Sequence, residues 1–252
     1  MNNEKENKET GEEKEEIGFM GHLDELRKRI IFAFVGIIIG CIISGFFIED
    51  LMNYILLAPA SAAKLSLQNL QPFGIPFLYF KVIFITGFII SFPFLLWQIW
   101  LFIAPGLYEN ERKWASKITF FTSISFFIGV AFAYFFMIPS MLGFAATFGT
   151  DKIRTDIDVN AYFGFVTLMI LASGIIFEMP MVSYVLAKAG LITSKGLRSY
   201  WRHAVVVIII LAAILTPTPD PINQMFFALP LFILYEISIW IVKLVEKKPK
   251  DE

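Results

Sequence analysis

Cysteine, histidine and charge are scarce in this 252-residue sequence. The single cysteine, Cys41, can form no disulfide within the chain. The two histidines, His22 and His203, have no partners at metal-ligand spacing, so we expect no metal site. Only 17% of the residues are charged, whereas soluble domains have about a quarter. These shortages exclude a disulfide-stabilised scaffold and argue against both a metalloprotein and a water-soluble domain.

Common catalytic motifs are missing as well. The sequence has no GxxxxGK[ST] phosphate-binding loop, so we expect the chain to bind no nucleotide in that way. An intramembrane serine protease would need a base beside a buried serine, and neither histidine lies within an apolar run. We therefore predict a protein that is not an enzyme, has no catalytic residue and uses no cofactor.

Long apolar runs dominate the rest of the sequence. Apolar residues make up 57% of the chain, aromatic residues make up 16%, and the mean hydropathy is +0.67. A transmembrane helix needs about 20 apolar residues. Four runs meet this length and two shorter runs follow them: 30–48, 82–104, 118–139, 162–187, 204–215 and 225–242. We predict an all-α integral membrane protein with six transmembrane helices.

Basic residues lie mostly on one side of these six spans. Seventeen of the 21 Lys and Arg residues belong to the N-terminal segment, the second and fourth connections or the C-terminal segment. The positive-inside rule therefore predicts that both termini are cytoplasmic. Residues 1–17 are acidic and poor in apolar side chains, which predicts a disordered tail. We divide the chain into this tail, a membrane domain at 18–245 and a second cytoplasmic tail at 246–252.

Two connections on the opposite side, 49–74 and 140–161, are too apolar for flexible loops. The first is typical of a short amphipathic helix followed by ordered turns, and the second has a similar composition. We expect them to pack together as an extracytoplasmic cap over the helices.

An acid, Glu178, lies inside the fourth run, two residues before Pro180. A proline kinks a helix, so the acid is expected beside a bend. One interpretation is a structural bond to a neighbouring helix. The other is a functional site, because an ionisable group in a membrane costs about 2.5 to 3.5 kcal/mol on insertion scales.

The fifth run has a length problem. Its 12 residues cover only about 18 Å of a hydrocarbon layer about 30 Å thick, so the run must thin the membrane or be covered by another helix. The turn after it carries polar groups at Thr216, Asp220 and Gln224. One interpretation is a tight hairpin with local thinning, and the other is a docking site where these groups bond to a partner.

Two acids stand among basic residues just before the first span, in the sequence HLDELRKR at 22–29. On a helix, Glu25 and Arg29 are four residues apart and can form a local ion pair of about 0.3 to 0.5 kcal/mol. The alternative is that these acids, Asp24 and Glu25, face a cationic ligand.

Further motifs follow in order and decide between these interpretations. They are FIAPGLY at 102–108 followed by Glu111 and Arg112, FEMP at 177–180, and Thr216-Pro217 with Asp220. Together with HLDELRKR, this series closely resembles the TatC family of the twin-arginine protein translocase. The resemblance covers residues 18–245.

The resemblance implies a fold and a binding site. It implies a glove-like bundle with an outer cap, and a receptor for twin-arginine signal peptides. The binding site that it implies consists of five residues near the cytoplasmic face: Leu23, Glu25, Arg27, Phe102 and Glu111.

The resemblance also implies partners and a location. Single-span TatA-type and TatB-type subunits are expected along the fifth and sixth helices, at Thr216, Asp220 and Gln224. We expect membrane lipid and further copies of the chain as other partners, and no nucleic acid. The implied function is proton-gradient-driven export of folded proteins across the cytoplasmic (inner) membrane. The rival hypothesis is a proton-coupled small-molecule transporter that uses Glu178 as its relay.

Overall fold

The computed structural model describes residues 2–103, 115–147, 156–216 and 221–246. Within them the chain forms eleven α-helices, two π-helical turns and two short strands. Their order is α1 (Asn2–Phe46), α2 (Ile48–Asp50), π1 (Leu51–Leu56), α3 (Ala58–Ala62), β1 (Ser66–Gln68), α4 (Gly74–Ile103), α5 (Ala115–Phe132), π2 (Ala133–Met137), α6 (Ile138–Thr147), β2 (Asp156–Asp158), α7 (Val159–Phe177), α8 (Met179–Lys188), α9 (Ser194–Ser199), α10 (Trp201–Leu215) and α11 (Pro221–Val245).

The prediction of a six-helix membrane protein is confirmed. In the described part of the chain, five helical stretches are long and apolar enough to cross a membrane, and a shorter apolar helix accompanies them. The five are Leu23–Phe46, Gly74–Ile103, Ser116–Thr147, Val159–Lys188 and Phe227–Val245, and the shorter one is Trp201–Leu215. We call the end where α1 begins and α11 finishes the terminal end, and the opposite end the cap end.

The first helix differs from the sequence prediction at its start. Composition predicts a disordered tail over residues 1–17, whereas α1 begins at Asn2 and runs without a break into the first span. Glu and Lys dominate this segment, and both are strong helix formers. A segment too polar to bury itself can therefore still extend a helix that the membrane span already nucleates.

Glycines set the contact between α1 and α4. A Cβ on Gly87 would lie 2.6 Å from the backbone nitrogen of Cys41, and a Cβ on Gly40 would overlap the Gly87 carbonyl. The two backbones therefore touch, as membrane helices do where small residues face each other. The GxxxG spacing of Gly36 and Gly40 is thus used inside the chain, since Gly36 in turn faces the ring of Phe94.

The fourth span is broken where α7 meets α8. Glu178 is the junction residue, and Pro180 lies in the first turn of α8, as the predicted kink requires. Hydroxyl groups fasten this region to α5: Ser125 Oγ donates to the Phe177 carbonyl at 2.5 Å, and Ser173 Oγ donates to the Gly129 carbonyl at 2.8 Å. The break therefore lies against α5.

The two outer connections pack together at the cap end, as predicted. Strands β1 and β2 pair in parallel, with Leu67 opposite Ile157. The Asp158 carboxylate caps α7 by accepting from the Ala161 amide at 3.2 Å, and it also accepts from the Leu70 amide at 3.3 Å. Strands of three residues carry no readable alternation, so the sequence prediction of an all-α protein did not include this small sheet.

The largest buried cluster lies in the cap half of the bundle. The buried Tyr162 hydroxyl donates to the Leu56 carbonyl at 2.7 Å and so ties α7 to π1. Buried side chains from the cap, α4, π2, α6, α7, α10 and α11 belong to the same cluster. The terminal end contributes little to this cluster, and its surface is where the candidate receptor residues lie.

Candidate functional site

The antiparallel register of α1 and α4 positions the first candidate site. Gly40 lies opposite Gly87, and Arg29 reaches Gln98 from the same helix pair. In both pairs the two residue numbers add to 127, because the helices run antiparallel in one register. Glu25 and Phe102 also add to 127, so they lie at one level, about one turn nearer the terminal end. Two residues that are 77 positions apart in the sequence are thus carried to one level by a glycine contact deep in the membrane domain.

An arginine stands between the acid and the neighbouring helix. Arg29 Nη2 lies 3.2 Å from Glu25 Oε1, and Arg29 Nη1 lies 3.4 Å from the Gln98 carbonyl oxygen. The side chains of Arg29 and Glu25 are 24% and 31% exposed. The structure therefore contains the local ion pair that helical spacing predicts, and it joins that pair to a buried amide on α4.

The other two predicted residues of the first motif point elsewhere. Leu23 and Arg27 are exposed and lie four residues apart, so they share one face of α1. At about 100° per residue, that face is nearly opposite the one that carries Glu25 and Arg29. The structure therefore brings Glu25 and Phe102 to one level and does not bring Leu23 or Arg27 beside them.

Two predicted site residues, Glu111 and Asp220, lie outside the described residues. Their assignments to the signal-peptide site and the partner site stay predictions. Phe102 is half-buried and lies one residue before the end of α4.

The intramembrane acid occupies the break in the fourth span. Glu178 is buried, and its Oε1 atom has no hydrogen-bond partner among the described residues. Ser125 bonds to the carbonyl of the preceding residue and not to this Oε1 atom. The purely structural interpretation, a side-chain bond to a neighbouring helix, therefore leaves one buried carboxyl oxygen unexplained.

Two polar side chains of the hairpin between α10 and α11, Thr216 and Gln224, bond to α10. Thr216 is buried and its hydroxyl donates to the Ala212 carbonyl at 3.0 Å. The Gln224 amide donates to the Ile209 carbonyl at 3.0 Å. These bonds agree with the tight-hairpin interpretation. A docking partner could bond to Thr216 or Gln224 only if these side chains gave up their bonds to the carbonyls of α10.

The short fifth span is preceded by a further short helix. The short helix α9 runs along the last third of α11: Ser194 donates to the Glu246 carboxylate at 2.6 and 3.0 Å, and Arg198 pairs with Glu236 at 2.5 Å. Since α10 starts two residues after α9 ends, α9 and α10 in succession face the 25-residue α11. The ordered chain against α11 is therefore longer than the 12-residue apolar run, and the two explanations of that run, membrane thinning and cover by another helix, both stay predictions.

Sequence reasoning missed Gln98 and Arg198. Gln98 is a lone amide in an apolar run. It lies 11 residues after Gly87, and Arg29 lies 11 residues before Gly40. That signal becomes readable only when the glycine contact is known. Arg198 could have been suspected because Glu236 in the last run needs a cationic partner.

A capped bundle of six apolar helices, with an acid and an arginine paired at its terminal end, defines a multi-span integral membrane protein. The sequence profile described as "Sec-independent protein translocase protein (TatC)" matches residues 21–230. The chain belongs to the TatC family.

Relatives and solved structures support this over nearly the whole chain. The Sec-independent protein translocase protein TatC of Helicobacter pylori is 42% identical over 231 residues, which cover 91% of this chain and 89% of that protein. Its counterpart from Carboxydothermus hydrogenoformans is 39% identical, with 91% and 93% covered. A crystal structure described as the twin arginine translocase receptor TatC has a TM-score of 0.76 and 37% identity, and covers 89% of this chain and 99% of that one. The predicted glove-like six-helix fold is thereby confirmed.

Proposed function

We propose that this chain is the receptor subunit of a twin-arginine translocase. Its terminal end binds twin-arginine signal peptides on the cytoplasmic side, and its helices organise TatA-type and TatB-type subunits and further copies of the chain. The complex exports folded proteins across the cytoplasmic membrane with energy from the proton gradient. The distribution of basic residues, with both termini on the positive side, supports this orientation.

One arrangement carries the proposal: Glu25 is a partly exposed carboxylate, and the register of α1 and α4 puts it level with Phe102 at the terminal end. A carboxylate accepts two parallel bonds from the fork of a guanidinium, and an ammonium cannot reproduce this geometry. The half-buried ring of Phe102 offers apolar surface at the same level. The pair therefore fits a ligand in which an arginine is joined to an apolar stretch.

The arginine contact is too weak to hold the ligand alone. An exposed ion pair contributes about 0 to 1 kcal/mol, whereas micromolar binding requires about 8 kcal/mol. At about 25 cal/mol per Å², the missing 7 kcal/mol or so corresponds to about 280 Å² of apolar burial. The apolar stretch of the signal must bury at least this area against α1, α4 or lipid, and the entropy of association raises the requirement.

Glu178 is proposed to act at a later stage than the terminal end. Its buried, unpartnered Oε1 atom lies at the break between α7 and α8, where a polar group of an inserted signal or a partner helix would satisfy it. A transporter relay would need polar side chains from other spans to converge on this oxygen, and among the described residues Oε1 has no such partner. The arrangement therefore favours the translocase over the transporter.

The hairpin of α10 and α11 is the proposed docking place for the single-span subunits. Val206, Ile210 and Ile214 form an exposed apolar stripe on α10, which a partner helix could cover. Docking at Thr216 and Gln224 would then require these side chains to trade their bonds to carbonyls of α10 for bonds to the partner. Asp220 belongs to the same proposed site.

Charge reversal at Glu25 tests the proposal. We expect Glu25→Arg to abolish crosslinking of a twin-arginine precursor to the chain in membrane vesicles, because attraction becomes repulsion. Asp24→Arg is the matched control, since Asp24 is exposed, adjacent and a quarter-turn away on α1. Normal crosslinking in Glu25→Arg would refute the site. An equal loss in both variants would show that only net charge matters.

A further inference from the structure

Arg29 resembles the proposed ligand. It presents a guanidinium to Glu25, four residues earlier on α1, at 3.2 Å, which is the contact that a signal arginine would have to make. This resemblance matters because a bidentate pair with a signal arginine needs both carboxylate oxygens, and Arg29 already bonds to Oε1.

A second contact gives Arg29 another acceptor. Its Nη1 atom lies 3.4 Å from the carbonyl oxygen of Gln98, which is buried on α4. Its Nε–H group is buried and meets no acceptor among the described residues. The guanidinium is therefore incompletely bonded where it stands, and Gln98 is an acceptor on a different helix from Glu25.

We infer that Arg29 is a built-in competitor of the signal arginine, which occupies Glu25 in the empty receptor and retreats to Gln98 when a signal binds. This inference rests on the proposed function of Glu25. An internal competitor lowers the apparent affinity for every ligand of that carboxylate by the same factor, the fraction of receptors in which the carboxylate is released. Arg29 therefore sets the threshold for binding and leaves the preference for arginine over lysine unchanged.

Arg29→Gln removes the competitor and should tighten binding. For an ion pair of ordinary exposed strength, the expected gain is about two- to sixfold. Binding is measured with a fluorescent synthetic twin-arginine signal peptide, and with its twin-lysine counterpart, on the full chain reconstituted in phospholipid nanodiscs. Both peptides should gain by the same factor. A gain in affinity cannot result from misfolding, which would only lose sites.

Two controls separate competition from general charge effects. Lys28→Gln removes the same charge from an exposed neighbouring position and should give a clearly smaller gain. In the Glu25→Gln background, Arg29→Gln should gain no more than Lys28→Gln does, because the contested carboxylate is gone. An equal gain in Arg29→Gln and Lys28→Gln, or an undiminished gain without the Glu25 carboxylate, would overturn the inference.

The same measurements distinguish this inference from the proposed function. If Glu25→Gln weakens peptide binding but Arg29→Gln does not tighten it, the receptor site stands and the competitor is refuted. If Glu25→Gln changes nothing, whether Arg29 is native or substituted, the receptor site itself is refuted. Arg29→Met serves as a second variant, and loss of binding in both Arg29 variants would show that Arg29 contributes to binding and does not oppose it.

Discussion

The contact of α1 with α4 predicts the effect of a single methyl group far from the receptor residues. A Cβ on Gly87 would lie 2.6 Å from Cys41 N and 2.7 Å from Cys41 Cα and Sγ, whereas ordinary contacts begin at 3.4 Å. Two of these atoms belong to the backbone, so no side chain can simply rotate away. In Gly87→Ala the helices must therefore separate by about 0.8 Å, with a cost of about 1 to 3 kcal/mol for overpacking.

The separation of α1 from α4 should also displace residues at the terminal end. The bond between Arg29 and Gln98 is already 3.4 Å long, so a shift of this size breaks it and moves Glu25 away from Phe102. We expect Gly87→Ala to lower the melting temperature in detergent and to weaken binding of a twin-arginine peptide. Its matched control is Gly45→Ala on α1, where an added Cβ meets nothing within 4 Å.

The control variant should be neutral or slightly stabilising, because alanine favours a helix by about 0.5 to 1 kcal/mol over glycine. Both quantities are measured on both variants by a thermal unfolding scan and a peptide titration. The reasoning is refuted if Gly87→Ala melts no lower than Gly45→Ala. If it melts lower but binds the peptide normally, the glycine contact stabilises the bundle without setting the register of the site.

Three further predictions concern other regions. Glu178→Ala should impair export while leaving the first binding of the signal nearly unchanged, because the acid lies at the break in the fourth span; crosslinkers at this position that find only lipid during transport would contradict this. Thr216→Leu with Gln224→Leu should keep insertion and signal binding but weaken crosslinking to single-span partners, and unchanged crosslinking with normal export would leave only the hairpin interpretation. Bonds donated by Ser194 lower the pKa of Glu246 below its ordinary value of 4.5. Its contribution to stability is therefore present above pH 4.5 and is lost as the pH falls through the lowered pKa, so the difference in melting temperature between the native chain and Glu246→Gln should vanish on acidification.

The membrane spans could be predicted because their signal is local. Length and apolarity identify a helix without knowledge of its neighbours. The five long helical stretches differ most from the apolar runs, by eight residues each, at the start of the second span, where α4 begins at Gly74 and the run at 82, and at the end of the third span, where the helix ends at Thr147 and the run at 139. A helix can continue past the hydrocarbon boundary, so its first residue and the membrane edge are different positions.

The candidate site was predictable in part. HLDELRKR indicated a local pair of Glu25 with Arg29, and helical spacing alone is sufficient for that. The link to Gln98 could not be predicted, because it depends on the register of two helices, which glycine contacts near the middle of the membrane determine. The internal bonds of Thr216 and Gln224 were missed for a similar reason: polar side chains at a turn indicate a need for partners but not whether the turn itself supplies them.

The pairing of β1 with β2 has a consequence for the order in which the protein is made. Ser66 contacts Asp156, 90 residues later, so the first half of the cap has no strand partner until three spans have been synthesised and the fourth is about to follow. The sheet can form only if the chain has crossed the bilayer three times and both strands have arrived in the same compartment. Its closure therefore marks an even number of membrane crossings between the two strands, and a nascent chain in which only one of the second and third spans inserts would leave β1 unpaired.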